Sequence, residues 1–286
     1  MKNYIIISLI TISVGFSQKE YNNNKLVEMD NGLWTLKYSR EPISGKVYGL
    51  FGEVEPYKKV YMGNLRKGKR EGKWVFYYQS TGKKKYEYSF KDGRQDGLFT
   101  KWSKSGKKVF TKTLKDGKKH GLYTEWWPNG KSKSYEGIFK DGFLHGIGTY
   151  STKDGYYYSG NFEYDVIQGS GLEKQKDVYE YSGDFYGGQR QGIGKMVRGD
   201  RTIYRGSWYK GEKDGFGIEK SPDGTIYAGE WRGGYKNGRG RIEKRNKIFF
   251  YGIWIEGQFE LVSTDEEITL FLINKYPLFN GFDKEI

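Results

Sequence analysis

Glycine returns every 23 residues, at Gly148, Gly171, Gly194, Gly217 and Gly240. A fixed interval of this size marks a tandem repeat, in which each unit contacts its neighbours and the array presents an extended surface. The composition fits that reading: 42 glycines and 18% aromatic residues stand beside a hydrophobic content of only 36%. Tyrosine leads the aromatics, so rings take the place that Leu and Ile hold in an ordinary core. Rings punctuated by glycine favour short strands and tight turns.

Superposing the units on Tyr204 to Gly217 gives a register without slips. The first aromatic falls at Tyr135, Tyr158, Tyr181, Tyr204, Tyr227 and Phe250, and a glycine follows two residues later at Gly137, Gly160, Gly183, Gly206, Gly229 and Gly252. Two residues further on stand Phe139, Phe162, Phe185, Trp208, Trp231 and Trp254. A period of two puts ring, glycine and ring on one face of a strand, with the glycine leaving a hole that a neighbouring ring is expected to fill. A Lys-Asp-Gly type loop comes next, then Gly-x-Gly and a return strand, and Asp154-Gly155 or Asp223-Gly224 leads into the following unit. One repeat is therefore one β-hairpin plus a linker. A lone hairpin is marginal in water, so pairing and ring packing between units must stabilise it.

The pattern continues upstream at spacings of 24 or 25, through Asn64 to Gly68, Ser89 to Gly93 and Thr113 to Gly117. There the third glycine gives way to an aromatic, at Trp74, Phe99 and Tyr123. The segment around Asn31 to Trp34 and Ile43 to Tyr48 reads as a degenerate starting unit.

The motif Tyr-x-Gly-x-Trp/Phe-x-x-Gly-x-x-x-Gly-x-Gly, with Asp165 replacing one loop glycine, resembles the MORN repeat. The upstream units, clearest from Lys115 to Gly130, resemble the variant MORN repeat often labelled a YwqK-type antitoxin. The resemblance implies an all-β fold, an elongated single-layer antiparallel sheet of tandem hairpins. It says little about activity, because the family includes membrane tethers such as junctophilins, accessory regions of lipid kinases and a lysine methyltransferase.

The ends differ from the middle. Residues 1 to 17 read as a cleavable signal peptide, with Lys2, a short apolar run and small residues Gly15 and Ser17, so that cleavage falls before Gln18. Export to the periplasm, cell surface or extracellular space is the expectation, and the absence of cysteine removes both disulfides and a lipid-modified cysteine. Residues 18 to 56 form a linker and degenerate repeat, 57 to 134 the variant repeats, 135 to 260 the standard repeats and 261 to 286 a C-terminal cap. Thr264 and Glu267 make a capping box, Ile268, Phe271, Leu272 and Tyr276 follow at helical spacing, and Pro277 stops the segment. A short helix covering the last hairpin is expected, blunting an edge that would otherwise template aggregation.

Chemistry is sparse. His120 and His145 occupy the position before a loop glycine that Glu71, Asp96, Gln168, Gln191, Asp214 and Asn237 fill elsewhere, which marks them as polar loop residues and not metal ligands. Asp92, Asp116 and Asp141 recur as turn formers. Gly215-Phe216-Gly217 precedes no helix, so no nucleotide loop is read there. The chain is read as a non-enzyme without cofactor or metal.

Charge is the one asymmetry. Residues 57 to 134 hold 22 Lys and Arg against 6 Asp and Glu, while the remainder holds 27 against 29. Lys67, Lys69 and Arg70, then Lys83, Lys84 and Lys85, then Lys118 and Lys119 are candidates for contact with an anionic partner: lipid head groups, polysaccharide or an acidic protein. The Lys83 to Lys85 run is expected in a turn between hairpins. Nucleic acid is the least favoured polyanion for an exported chain. Exposed Tyr and Trp offer a second surface, a ladder for sugar rings or extended peptides. A second copy of the chain, met through the sheet face or the rod end, is the other partner the architecture admits. The expected function is a binding scaffold of the bacterial envelope or secreted space; the alternative is a YwqK-like antitoxin or immunity protein that binds a toxin.

Overall fold

The computed structural model describes residues 18–51, 56–244, 247–263 and 275. The expected signal peptide, and the expected C-terminal helix apart from Lys275, lie outside these residues. The chain forms two compact units, Met1–Gly97 with Lys104–Gly106, and Leu98–Ser103 with Lys107–Ile286.

The first unit contains β1 (Glu20–Asn22), β2 (Leu26–Glu28), β3 (Trp34–Leu36), β4 (Gly45–Phe51), β5 (Lys58–Arg66), β6 (Lys69–Tyr77) and β7 (Lys84–Lys91), and β8 (Arg94–Trp102) leads out of it. β4, β5, β6 and β7 pair antiparallel in sequence order, while β1 pairs parallel to β4, a departure from the purely antiparallel expectation. β2 and β3 form a separate two-stranded sheet. Leu26 and Ile43 join Val47, Met62, Leu65, Trp74 and Phe90 in one buried cluster, so the N-terminal segment supplies core to this unit, while β4 adds a strand to the antiparallel series.

The second unit is a run of hairpins in one sheet: β9 (Lys108–Lys115), β10 (Lys118–Trp126), β11 (Lys133–Lys140), β12 (Phe143–Ser151), β13 (Tyr156–Glu163), β14 (Val166–Gln175), β15 (Tyr179–Tyr186), β16 (Gln189–Arg198), β17 (Ile203–Tyr209), β18 (Glu212–Lys220), β19 (Thr225–Arg232), β20 (Tyr235–Lys244), β21 (Lys247–Ile255) and β22 (Gln258–Ser263). From β9 to β22 every strand pairs antiparallel with its sequence neighbour.

The hairpins close through two-residue turns in which both residues have positive φ, as at Asp141 (53°) and Gly142 (101°). That is the turn whose twist matches paired strands, and it explains the Asp-Gly loops. A second glycine, Gly192 at φ 72°, sits where β15 and β16 slip register between Gly183 and Phe185, and the positive φ lets the strand bulge there.

Glycines of the repeat face one another across the sheet. Gly137, Gly148, Gly160, Gly171, Gly183, Gly194, Gly206, Gly217, Gly229, Gly240 and Gly252 form an unbroken line of cross-strand pairs. A Cβ added at Gly183 would lie 2.6 Å from the Gly194 Cα and 2.5 Å from the Tyr181 hydroxyl, and one at Gly194 would lie 2.4 Å from the Tyr181 ring. The expected hole is real, but it is filled by the repeat's own tyrosine. In the first variant repeat an aromatic from the neighbouring strand fills the equivalent space, for a Cβ at Gly63 would sit 2.4 Å from the Trp74 indole.

Stitching between hairpins explains the 23-residue interval. The turn amides of Asp165, Gly188, Gly211, Gly234 and Gly257 donate at 2.8–3.0 Å to the carbonyls of Leu144, Ile167, Arg190, Lys213 and Lys236, so each hairpin tip rests on the one before it. Side chains at the position before the second loop glycine accept from the same tips: Gln168 from Gly187, Gln191 from Lys210 and Asp214 from Gly233, at 3.1–3.3 Å. This gives the row containing His120 and His145 a structural task. His120 faces Asp141 at 3.5 Å, and His145 packs edge-on against Tyr164.

Candidate functional site

One face of the second unit is an aromatic zipper. Phe185 meets Tyr158 and Tyr181, Trp208 meets Tyr181 and Tyr204, Trp231 meets Tyr204 and Tyr227, and Trp254 meets Tyr227, with centroids 5.0–5.5 Å apart and planes at 79–89°. Each edge-to-face contact is worth about 0.5–1.5 kcal/mol beyond area burial. Tyr158, Tyr181, Tyr204 and Tyr227 are at most 2% exposed, and their hydroxyls donate to the carbonyls of Asn161, Asp184, Ser207 and Glu230 three residues on. Burial pushes these phenols up, that of Tyr158 to about 12. Tyr135 opens the series less deeply, against Tyr123 and Phe139. These tyrosines hold the sheet together and offer no free face to sugar rings; the exposed tyrosines of this unit are others, Tyr164, Tyr186, Tyr209 and Tyr235.

Cations lie against this aromatic face, a feature hidden in the sequence. The second residue of the return strand, two before the second loop glycine, turns its side chain inward. Arg190 stands over Tyr179, Tyr181 and Trp208 at 4.6–5.5 Å, Lys213 over Tyr204 and Trp231 at 4.3–4.6 Å, and Lys236 over Tyr227 at 4.7 Å. Such contacts strengthen as water is excluded. Arg190 also pairs with Glu173 at 2.8 Å, and Lys213 pairs with Glu219, which Lys236 approaches at 3.9 Å. Burial holds the Lys213 ammonium below its usual range, although Glu219 acts the other way. In other repeats the same position is apolar, Leu144 and Ile167, which shows that it is a packing position that tolerates a cation.

The eight candidate basic residues do not converge on one patch. In the first unit, Lys67 lies in the turn joining β5 to β6 and Lys69 follows it at the start of β6, whereas Lys83 lies in the turn at the other end of β6. The nine residues of β6 separate the two turns by roughly 30 Å at strand rise. The turn holds Lys83 alone, because β7 begins at Lys84, a correction to the expected placement of the whole run. Lys83 donates to the Ser105 carbonyl at 3.0 Å, Lys84 pairs with Glu87 at 2.9 Å and Lys85 lies over Tyr86 at 5.1 Å. Burial opposes ionisation of Glu87, but hydrogen bonds from Lys73 and Lys84 hold its carboxyl below the usual range. Arg70 is not a surface group. It sits among Trp34, Trp74, Phe76 and Phe90 at 4.6–5.8 Å, where burial lowers its pKa. In the second unit Lys118 is exposed and Lys119 lies over Tyr123 and Phe139 at 4.6–5.1 Å.

Among the described residues no group of three or more His, Asp or Glu is placed to hold a metal ion. Also among them, no helix is long and apolar enough to cross a membrane.

Comparison with known proteins bears on this architecture directly. The sequence model of the MORN repeat matches residues 61–80, 113–132, 135–155, 158–177, 181–203, 204–226 and 227–247. No curated protein matches the chain. Among solved structures it is similar to the SAS-4 (dCPAP) TCP domain of Drosophila melanogaster, in complex with a proline-rich motif of Ana2 (dSTIL). That likeness has 11% identity and a TM-score of 0.29, over 68% of this chain and 90% of that one.

Proposed function

Because this chain belongs to the MORN repeat family, we propose that it is an exported, non-catalytic repeat scaffold whose basic segment, residues 57 to 134, faces an anionic envelope surface. MORN repeats commonly mediate contact with proteins or membrane lipids. The observation that carries the reading is charge segregation: 22 Lys and Arg against 6 Asp and Glu fall within 57 to 134. The exposed lysines Lys67, Lys69, Lys83, Lys84 and Lys118 contribute to that charge at the surface. Their spread along both ends of the hairpins suits a broad, diffuse surface of head groups or polysaccharide better than a compact ligand, since long-range attraction needs net charge and not convergent geometry.

The test is binding of the full chain to anionic and to neutral vesicles. Binding to anionic vesicles is expected to weaken steeply as salt shortens the Debye length below about 8 Å. Lys83→Glu/Lys84→Glu/Lys85→Glu is expected to weaken it further while the fold survives. Equal binding by that variant, or salt-independent binding, overturns the anionic-surface reading and leaves a protein partner, including a toxin bound by this chain as a YwqK-like antitoxin or immunity protein. Export is tested by mass spectrometry of the envelope fraction, where the chain is expected to begin at Gln18.

A further inference from the structure

The sheet of the second unit has a back face opposite the aromatic zipper, and it is unevenly covered. The residue between two loop glycines points to this face in every hairpin. Ile147 is 65% exposed and Ile193 40%, yet the larger Phe216, at the same register position, is 6% exposed. Around it, Ile218 is 2% exposed and Ala228 3%, and the two are directly paired across β18 and β19. Among the described residues all the strands of this unit lie in the one sheet, so no second layer of strands among them accounts for the burial.

The cover is marked by one described residue. Lys275 reaches this face, with its ammonium 2.7 Å from the carboxylate of Glu230, which pairs with Phe216 across the strands. We propose that residues 264 to 286 of this chain dock on the back face of β18 to β20, over Phe216, Ile218 and Ala228. This places the segment on a face of the sheet and not on its last edge, where the sequence pattern had put it.

Composition supports the match. The segment is apolar at Ile268, Leu270, Phe271, Leu272 and Ile273, and carries five acidic residues against two lysines. Arg205 and Arg241, on the same face, directly oppose Ile218 and Ala228, so an acidic, apolar segment meets an apolar patch flanked by arginines. A patch of this kind left uncovered would be a site for association with other apolar surfaces.

The chain contains no cysteine, so thiol chemistry reports on single introduced sites in the full-length protein. Ala228→Cys is expected to react with a maleimide at least about tenfold more slowly than Ser182→Cys, an exposed position of the same face, because reaction requires the cover to open. Lys275→Glu, set against Glu230, is expected to speed the Ala228→Cys reaction. Separately, Glu230→Cys/Lys275→Cys is expected to cross-link within one chain through a short bismaleimide, and Ser182→Cys/Lys275→Cys is not. Equal labelling rates at the two single sites overturn the proposal. So does a cross-link that forms only between two chains, which would make a second copy the cover.

Discussion

The ring of Tyr181 lies flat on Gly194 of the neighbouring strand while its hydroxyl donates back to the Asp184 carbonyl at 3.0 Å. The glycine is needed for space and not for φ. Gly194→Ala would bring a methyl carbon 2.4 Å from the ring, and it is expected to cost about 1–3 kcal/mol through displacement of Tyr181 from its place between Phe185 and Trp208. Gly187→Ala, at a turn with open space but φ 58°, tests the other glycine role and is expected to cost about 1–2 kcal/mol of backbone strain without disturbing the rings. Near-ultraviolet circular dichroism separates the two: an unchanged aromatic spectrum in Gly194→Ala would contradict the ring-on-glycine arrangement.

Tyr181→Phe keeps the ring and removes only the hydroxyl. The Asp184 carbonyl then loses its donor from Tyr181, and a loss of about 0.5–1.5 kcal/mol in urea denaturation is expected. Trp208→Ala removes two ring contacts and a hydrogen bond to the Gly194 carbonyl, with an expected loss of about 3–5 kcal/mol. A Tyr181→Phe chain as unstable as Trp208→Ala would mean that the hydroxyl, and not the ring, holds the zipper.

Lys213 and Glu219 are buried together, and their register partners in other repeats are apolar, Ile167 at the first position and Met196 at the second. Lys213→Met alone leaves Glu219 with Lys236 at 3.9 Å, and a loss near the lower end of roughly 3–5 kcal/mol is expected. The double variant Lys213→Met/Glu219→Met is expected to recover most of that loss or exceed the native stability. A thermal denaturation series of the two singles and the double measures it; additive losses would mean zero coupling between Lys213 and Glu219 and would overturn the ion-pair account.

Alkaline pH is expected to unfold the second unit cooperatively. Phenols ionise near pH 10 in the unfolded chain, but burial raises the hydroxyls of Tyr158, Tyr181, Tyr204 and Tyr227 above that. A raised folded pKa means the native state holds protons that the unfolded state has released, so this stability is complete below about pH 10 and falls as pH climbs through the raised values. Lys213 acts in the opposite sense, since its lowered pKa adds stability as pH rises toward its ordinary value, but it is one group against four. Tyrosinate absorbance should show a delayed step, above the ordinary phenol range, coincident with loss of circular dichroism.

Much of the fold was legible because a strand has period two. Tyr181, Gly183 and Phe185 had to share a face, and the positive-φ turn at Asp141-Gly142 follows from its two residues. The inward cations were not legible, because Arg70 and Lys119 stand in runs of basic residues that look like solvated surface. Their place at the start of the return strand, shared with Leu144 and Ile167, was the available signal. The parallel pairing of β1 with β4 and the folding of Leu26 and Ile43 into the first core depend on long-range contacts that no periodicity encodes.

A sheet in which each strand bonds only to its sequence neighbours has a mechanical character. Pulled along its chain, the second unit is loaded as a zipper, with hydrogen bonds opening one pair at a time and not sheared together. Each turn amide rests on a carbonyl 21 residues earlier and the bond recurs every 23 residues, so each step releases one repeat, about 80 Å of extended chain, and leaves the next hairpin with its own tip still seated. Such a molecule yields to tension in even increments and can refold from whatever remains.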